Sequence, residues 1–379
     1  MAQARSIFEP DHEMFRDSVA KFMAKEITPN IAEWDDAGIV PRDLWTKAGA
    51  AGILCPGVPE EYGGPGADFR YNAIVNEELA RSGTPSPGFQ VHSDIVAPYI
   101  VHYGSEEQKR YWLPRMVSGE AVGAIAMTEP GTGSDLQGVR TTARLDGNHY
   151  VINGQKTFIT NGQHADVVIV VAKTDPTKGA KGISLIMVER DTPGFRRGRN
   201  LDKLGMKMAD TSELFFDDVR VPTSNVLGEA GRGFGYLMSE LPQERLVIAV
   251  LGCSAAQVAF EWTLDYCRQR TAFGKALTEM QTIAHTLAEL KTEIEVGWAF
   301  LDQCIARHLE GKLDAAGGAM AKLWITEMQG RVMDRCLQLH GGYGYMMEYP
   351  IARAYADSRV QRIYGGTSEI MKELISRNL

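Results

Sequence analysis

The chain has 379 residues, a length typical of roughly two or three domains that bury a full apolar core without disulfides or metals. Its 40 Lys and Arg residues and 48 Asp and Glu residues give a net charge of −8, which argues against a nucleic-acid-binding or membrane-surface protein. The five cysteines are widely spaced without a Cys-x-x-Cys pair. This pattern predicts reduced thiols, a cytoplasmic location and no metal site.

The composition of the N-terminal region predicts neither a signal peptide nor a membrane span. Acidic residues occur early, at Glu9, Asp11 and Glu13, and no uninterrupted apolar run approaches the roughly 18 residues of a span. Phe15 and Val19 begin a helically spaced apolar series that ends before Pro29. Residues 1–120 are therefore predicted to form a helical domain.

Residues 121–227 change to short apolar or alternating runs, which predict strands. The runs fall at 150–152, 167–171, 183–188 and 214–216. Asp146-Gly147, Asn153-Gly154 and Asn161-Gly162 are turn dipeptides, because Asn, Asp and Gly tolerate positive φ. Together they predict a small antiparallel β barrel or sandwich.

Residues 228–379 return to helical periodicity. An apolar stripe steps by three or four residues through Leu287, Leu290, Ile294, Trp298, Leu301 and Ile305. A helix of this length predicts an antiparallel bundle. The expected class is therefore an α+β multidomain protein with a helical domain, a β domain and a C-terminal helical bundle.

Several enzyme classes are disfavoured by missing motifs. The chain has no Gly-x-Gly-x-x-Gly between a strand and a helix, no Walker-type phosphate loop and no Gly-x-Ser-x-Gly elbow. Nicotinamide, nucleoside-triphosphate and serine-hydrolase chemistry are therefore unsupported.

Four segments carry glycines beside hydroxyl, basic or aromatic side chains, a combination that suits a phosphate-bearing aromatic ligand. They are residues 127–135, 158–162, 268–275 with Gln281, and 338–345 with 363–370. Each segment has a plainer interpretation, which is, in the same order, an ordinary turn, a core Phe, basic residues at a helix end, and a helix cap. Composition alone does not decide between them.

In order and over nearly the whole chain, these segments resemble the acyl-CoA dehydrogenase family, most closely its long-chain subgroup. The signatures are Thr-Glu-Pro-Gly-x-Gly-Ser-Asp at 128–135 and Tyr-x-Gly-Thr-Ser-Glu-Ile at 364–370, with Leu-Pro-Gln-Glu-Arg at 241–245. The resemblance implies FAD as cofactor, a four-helix C-terminal bundle and a homotetramer built as a dimer of dimers.

Flavin contacts follow from the same resemblance. Residues implied to line the FAD are Ile125, Met127, Thr128, Gly133, Ser134, Phe158 and Thr160. Residues implied to serve the FAD of a neighbouring subunit are Arg270, Ala272, Phe273, Gln281, Gln338, Gly341 and Gly342, and Thr367 and Glu369 complete the cofactor site.

The position of the catalytic base departs from the commonest family pattern. Many relatives have Tyr-Glu-Gly-Thr where this chain has Tyr364-Gly365-Gly366-Thr367, and glycine cannot accept a proton. Long-chain and isovaleryl-type relatives place the base on a helix of the bundle, at a position that matches Glu244. Glu240, one turn earlier, is the competing carboxylate, and a solvated helix glutamate is the plainer interpretation of Glu244.

The resemblance implies conversion of a saturated acyl-CoA, medium to long in chain, to its trans-2-enoyl-CoA. Glu244 would remove the α proton, hydride would pass to flavin N5, and the Gly365 N–H would stabilise the thioester oxygen. Electron-transfer flavoprotein would be the acceptor. Residues implied to approach CoA are Ser134, Arg245, Gly366 and Arg377. The alternatives are an acyl-CoA oxidase, a branched-chain acyl-CoA dehydrogenase, a flavin monooxygenase and a flavin-free scaffold.

Overall fold

A computed structural model describes residues 5–379. Its first region is helical and includes a π-helical turn over Val91–Val96. The α-helices of this region are α1 (Pro10–Phe22), α2 (Ile31–Ala37), α3 (Asp43–Ala50), α4 (Phe69–Arg81), α5 (Ala97–Tyr103) and α6 (Glu106–Val117). Val19 and Met23 are buried on the predicted apolar face, and Pro29 falls in a 3₁₀ turn after α1.

The middle region is a curled 7-stranded sheet. Its strands are β1 (Gly123–Ala126), β2 (Thr142–Asp146), β3 (His149–Thr160), β4 (Val167–Lys173), β5 (Ile183–Glu189), β6 (Phe195–Asn200) and β7 (Thr211–Pro222). Most neighbours are antiparallel, as predicted, but β4 runs parallel to both β1 and the start of β2. The β1–β4 pair forms because the chain leaves β1, makes the β2–β3 hairpin, and only then returns beside β1.

One predicted turn is wrong. Asn153-Gly154 lies inside β3, where the pairing with β7 shifts register between Ile152 and Gly154. A Cβ at Gly154 would collide with Thr141, so the glycine permits a close backbone approach at a β-bulge rather than a hairpin. Asp146-Gly147 does form the β2–β3 hairpin.

The C-terminal region is a helical bundle. It contains α7 (Gly233–Gln269), the short hairpin strands β8 (Thr271–Ala272) and β9 (Lys275–Ala276), α8 (Gln281–Leu309), α9 (Ala315–His340), α10 (Pro350–Ser358) and α11 (Ser368–Ser376). Leu287, Leu290, Ile294, Leu301 and Ile305 are all buried, so the predicted stripe of α8 faces the bundle core. Among the described residues, α7 is long and apolar enough to cross a membrane, but 83% of its apolar window is buried in the protein, as in a core helix.

Three apolar cores hold these regions together. Alternate residues of β4 enter different cores: Val167, Ile169 and Val171 pack with the N-terminal helices, whereas Val168 and Val170 pack within the sheet. This is the two-residue period of a strand buried on both faces. The third core is the bundle, which also takes in Phe69 and Ala73 of α4. The predicted three-part α+β fold is confirmed.

Candidate active site

A cleft with a volume of about 450 Å³, partly open to solvent, lies where the three regions meet. Its walls come from the π-helical turn before α5, the ends of β1 and β3, one side of α7, the turn before α11, and α11 itself. It brings together the sequence-predicted residues Ile125, Met127, Thr128, Gly133, Ser134, Phe158, Thr160, Glu244, Arg245, Gly365, Gly366 and Arg377. Residues more than two hundred positions apart in sequence therefore face one space.

The β wall of the cleft is fixed by a buried ion pair. Lys156 is fully buried, and its Nζ donates to the Met127 carbonyl oxygen at 3.0 Å and to Glu129 Oε1 at 2.9 Å. Burial lowers the pKa of Lys156 to about 8, although Glu129 opposes the shift. The Thr157 N–H also donates to the Thr128 carbonyl at 2.9 Å. These contacts hold the ends of β1 and β3 side by side.

Phe158 reaches the cleft through a local distortion of β3. Its φ is +60°, unusual for a residue with a Cβ, and the β3–β7 pairing shifts register between Lys156 and Ile159. A bulge of this kind re-aims a side chain. Phe158 is 67% exposed although it lies between the buried residues Thr157 and Ile159, so the distortion presents an aromatic ring to the cleft.

Glu244 is a buried carboxylate on the helical wall. Its side chain is 4% exposed, and Oε1 accepts a hydrogen bond from the Tyr99 hydroxyl at 2.9 Å. Burial raises the pKa of Glu244 to about 7, the Glu240 charge adds to the shift, and Tyr99 and Arg245 oppose it. A carboxylate with a pKa near neutrality in an apolar cleft is suited to proton transfer.

Glu240, the competing carboxylate, is engaged elsewhere. Its Oε1 accepts from the Tyr103 hydroxyl at 2.7 Å and lies 2.9 Å from His102 Nδ1. The Glu240 hydrogen bond is the largest cause of the raised pKa of His102. Glu240 is not among the residues that line the cleft, so the two glutamates have different surroundings although they are one helical turn apart.

Two buried cations hold the turn that faces Glu244. Gly365 and Gly366 have φ of +63° and +98°, a conformation that favours glycine. Arg245 Nε donates to the Gly365 carbonyl at 3.4 Å, and Lys322 Nζ donates to the Gly366 carbonyl. Burial, with Arg245 nearby, lowers the pKa of Lys322 to about 8. The position of this turn is therefore set by side chains of α7 and α9.

At the mouth of the cleft, the side chains are solvent-exposed. Ser134 comes from the loop after β1, and Arg377 comes from the C-terminal end of α11. Arg377 Nε donates to Glu373 Oε1 at 2.9 Å, one turn earlier on the same helix. An exposed cation and a hydroxyl at the entrance suit the charged end of a long ligand whose apolar end lies deeper.

Comparison with known families accounts for this arrangement. The models described as the acyl-CoA dehydrogenase N-terminal, middle and C-terminal domains match residues 9–120, 124–219 and 231–379. The chain belongs to the acyl-CoA dehydrogenase family. It is thus an oxidoreductase, a flavoprotein of fatty-acid oxidation with FAD as its cofactor.

The relatives cover the whole fold. The long-chain specific acyl-CoA dehydrogenase, mitochondrial, of Sus scrofa is 56% identical over 99% of this chain and 88% of its own length. A crystal structure of acyl-CoA dehydrogenase from Geobacillus kaustophilus has a TM-score of 0.97, 53% identity and 99% coverage of both chains. A glutaryl-CoA dehydrogenase from Mycobacterium smegmatis in complex with FADH2 has a TM-score of 0.92 and 31% identity, and the match covers 98% of this chain and 95% of that one.

The cleft of this acyl-CoA dehydrogenase fits a flavin. The exposed ring of Phe158 offers a flat apolar surface, and the hydroxyl-bearing residues Thr128, Ser134 and Thr160 lie along the same wall. A Cβ placed at Gly133 would meet no atom within 4 Å, so the loop leaves its backbone open to a ligand. Apolar walls with a few polar groups suit a heteroaromatic ring that carries a polyhydroxyl chain.

The other predicted cofactor residues do not reach this cleft. Arg270, Phe273, Gln281, Gln338, Gly341 and Gly342 are exposed and Ala272 is half-buried. The Arg270 guanidinium lies 5.8 Å from the centre of the Tyr343 ring, so the β8–β9 hairpin and the turn after α9 adjoin. We call residues 270–276 with 341–347 the hairpin surface. Phe273 at its tip is 96% exposed.

Thr367 and Glu369 lie just beyond the glycine turn and do not line the cleft. The Thr367 Oγ1 accepts from the Ile370 N–H at 3.4 Å and caps α11. Hydrogen bonds at this helix start lower the pKa of Glu369. In the described residues these two side chains therefore have a local role at the helix N-terminus.

Sequence reasoning missed two residues of the site. Tyr99, which contacts the base, sits in an apolar stretch that gives no chemical signal. Lys322 does give a signal in the sequence, because a lone charge between Ala321 and Ile325 on the buried face of α9 demands a partner.

Proposed function

We propose that this protein removes the α and β hydrogens of a medium- to long-chain acyl-CoA to give the trans-2-enoyl-CoA, with Glu244 as the base. The observation that carries the proposal is the buried Glu244 carboxylate on one wall of the cleft, with the Gly365–Gly366 turn and the Phe158–Thr160 strand end on others. Among the described residues, no cation lies within hydrogen-bond reach of that carboxylate, which suits a group kept for chemistry.

Glu244 accepts the α proton of the thioester in this scheme. A base acts best when its pKa lies near the working pH, and burial raises the pKa of Glu244 to about 7. The α carbon of a thioester is a very weak acid, so the negative charge that develops there also needs stabilisation.

The glycine turn supplies that stabilisation. The Gly365 N–H is proposed to donate to the thioester oxygen, as the preorganised donors of an oxyanion site do. Arg245 and Lys322 hold the carbonyls of the same turn, so the donor does not have to reorganise during reaction. FAD, when bound, supplies the acceptor for the hydride that leaves the β carbon.

The flavin is held by the β wall in this proposal. Phe158 covers a face of the ring, and Thr128, Ser134 and Thr160 donate hydroxyls. The Lys156–Glu129 pair beneath them keeps Met127 and Thr128 in place. The reacting groups thus meet between a rigid strand end and a rigid helix, as proximity catalysis requires.

The acyl chain is proposed to extend along the apolar part of the cleft. Side chains there come from the π-helical turn and from α7, and they include Val91, Ile95, Leu241 and Leu251. Gly365 contributes no side chain beside Ile248, which leaves room for longer or α-branched acyl groups. The mouth residues Ser134 and Arg377, with Arg245 and Gly366, are proposed to approach the CoA portion.

The wider context of the reaction is proposed from family membership. Electron-transfer flavoprotein accepts the electrons, the chain assembles as a homotetramer, and the enzyme works in the cytoplasm. All five cysteines are buried free thiols, which accords with a reducing compartment.

The test of the base compares two isosteric variants. Glu244→Gln is expected to keep FAD and bind acyl-CoA but to lose about 10²- to 10⁴-fold in the rate of anaerobic flavin bleaching, because the amide cannot accept the proton. Glu240→Gln, one turn away, is the matched control and should bleach within a few-fold of the wild-type rate. Normal bleaching by Glu244→Gln would refute the assignment.

A second measurement separates a dehydrogenase from an oxidase. The wild-type protein is bleached anaerobically with a series of straight and branched acyl-CoAs, and the reduced protein is then exposed to air. A dehydrogenase releases little hydrogen peroxide and is reoxidised by electron-transfer flavoprotein. Stoichiometric peroxide at a rate that matches turnover would indicate an acyl-CoA oxidase, and the chain that bleaches fastest identifies the substrate.

A further inference from the structure

Two tyrosine–glutamate pairs join α5 to α7. Tyr99 and Tyr103 are four residues apart on α5, and Glu240 and Glu244 are four residues apart on α7, so each set lies on one helix face. The Tyr99 hydroxyl donates to Glu244 Oε1 at 2.9 Å, and the Tyr103 hydroxyl donates to Glu240 Oε1 at 2.7 Å. The pairs have the same chemistry, but only Glu244 lines the cleft.

Tyr99 is more than a packing residue in this contact. Its side chain is 0% exposed, and burial with the adjacent Glu244 charge raises the pKa of the phenol well above its usual value. The hydroxyl therefore remains a donor at every working pH. Its partner oxygen belongs to a carboxylate that is also removed from water, so the bond is charge-assisted and poorly replaced by solvent.

We propose that Tyr99 is a positioning residue for the base: its hydroxyl fixes Oε1 of Glu244, so that Oε2 is the oxygen presented to the substrate and the carboxylate stays ionised in the apolar cleft. This inference rests on the proposed function of Glu244. Without the donor, a buried carboxylate would rotate more freely and would hold its proton more tightly.

The other charges around Glu244 do not duplicate this contact. Glu240 on α7 opposes ionisation of Glu244 and Arg245 favours it. Tyr103 and His102 on α5 engage Glu240 instead. The remaining titratable residues that line the cleft are Asp135 from the loop after β1, Tyr364 before the glycine turn, and Glu373 and Arg377 on α11. Among the described residues, Tyr99 is thus the one side chain hydrogen-bonded to the Glu244 carboxylate.

The first test uses the pH dependence of anaerobic flavin bleaching by acyl-CoA. Tyr99→Phe removes one oxygen and keeps the buried ring, and Tyr103→Phe makes the same change in the outer pair. For Tyr99→Phe we expect the rising limb of the rate profile to move up by about one pH unit, because a donor to the charged form is lost. Tyr103→Phe should move it far less.

A substitution that strengthens the hydrogen bond keeps the inference testable if the phenylalanine variant misfolds. 3-Fluorotyrosine introduced at position 99 has the shape of tyrosine and a more acidic, stronger-donating hydroxyl. We expect the fluorinated side chain to move the rising limb of the rate profile to lower pH. Equal FAD content and equal acyl-CoA binding in all proteins confirm that the folds are comparable.

A readout independent of turnover is the pH dependence of unfolding. Tyr99→Phe should lower stability relative to wild type more at pH 8, where Glu244 is ionised, than at pH 5, where it is protonated. If wild type bleaches normally but Tyr99→Phe follows the wild-type profile and loses stability equally at both pH values, Tyr99 only packs and the inference is overturned. If wild type itself is not bleached, it is the proposed function that fails.

Discussion

Residues that the sequence predicts to serve the cofactor or the chemistry lie both in the cleft and on the hairpin surface. The two regions differ in how far these side chains are buried and hydrogen-bonded. On the cleft walls, Glu244 is buried and hydrogen-bonded to Tyr99. The half-buried glycine turn is held by the buried Lys322 of the same chain. On the hairpin surface, Phe273 and Tyr345 are 96% and 83% exposed. Contiguous exposed aromatics on a globular protein usually mark a contact with something else.

This difference divides the sequence-predicted cofactor residues into two sets. One chain by itself assembles the residues for proton removal and for the flavin ring, whereas Arg270, Gln281 and Gln338 are left at the solvent. A division of this kind is expected if a second copy completes each FAD site, as the family resemblance implies.

The largest effect is expected when the carboxylate of the base is moved to another position in the cleft. Glu244→Gln with Gly365→Glu places a carboxylate at the more common family position. We expect no rescue, with bleaching at least about a hundredfold below wild type. A glutamate there would need a φ of +63°, and its Cβ would collide with Ile248 Cδ1.

Adding Ile248→Ala to that double variant removes the obstacle and is expected to restore part of the bleaching rate. The control is Ile248→Ala alone, which keeps Glu244. Full rescue without the alanine would show that the glycine turn adapts easily and that the cleft is less rigid than its hydrogen bonds indicate.

Ionisation of Glu244 should also destabilise the folded protein at high pH. The folded-state pKa of Glu244 is raised from 4.5 to about 7, so the folded state binds the proton more tightly than the unfolded state. Stability is then highest below the unfolded-state pKa and is lost as the pH rises through the folded-state pKa. The loss amounts to about 3 kcal/mol.

Glu244→Gln removes that loss. We expect the variant to match wild type at pH 4.5 and to exceed its free energy of unfolding by up to about 3 kcal/mol at pH 8, as measured by denaturant titration. Asp94 and Asp357, whose pKa values burial raises to about 7, contribute equally to both proteins and cancel. A constant difference across this pH range would contradict the raised pKa of Glu244.

Lys322→Met tests the support of the glycine turn. The change leaves the Gly366 carbonyl without its cationic donor, which should displace the Gly365 N–H and lower kcat/KM by roughly ten- to a hundredfold. Lys312→Met, at an exposed lysine paired with Glu310, is the control. Loss of FAD with unchanged kcat/KM in the loaded fraction would instead assign Lys322 to cofactor retention.

The sequence was enough for the order of the domains because each region has its own period. The stripe from Leu287 to Ile305 can only be a helix buried on one face, and the apolar run at 167–171 suits a strand buried on both. The sequence was not enough for local detail, because a glycine can serve either in a turn or in a β-bulge. Gly154 was predicted in a turn, but it permits a bulge against Thr141.

For the site, local motifs indicated the flavin wall and the glycine turn, but not the contacts between distant segments. The Tyr99–Glu244 hydrogen bond spans 145 positions, and no pattern around Tyr99 predicts its partner. The resemblance indicates Glu244 as the base, but the sequence does not show why Glu240 is excluded: Tyr103 and His102 of α5 engage Glu240 and leave Glu244 facing the cleft.

The smallest change in stability is expected at the tip of the hairpin surface. A substitution there also tests most directly whether this surface and the cleft have different roles. Phe273→Ser should alter the free energy of unfolding by no more than about 0.5 kcal/mol, because the side chain is 96% exposed. If a second copy uses this surface, the variant should nevertheless retain FAD less well at low protein concentration. Leu145→Ser, at an exposed residue of β2, is the control, and FAD content is measured after dilution and dialysis. Equal retention by both variants would show that Phe273 does not contribute to a neighbouring cofactor site, and the two regions would then have unrelated roles.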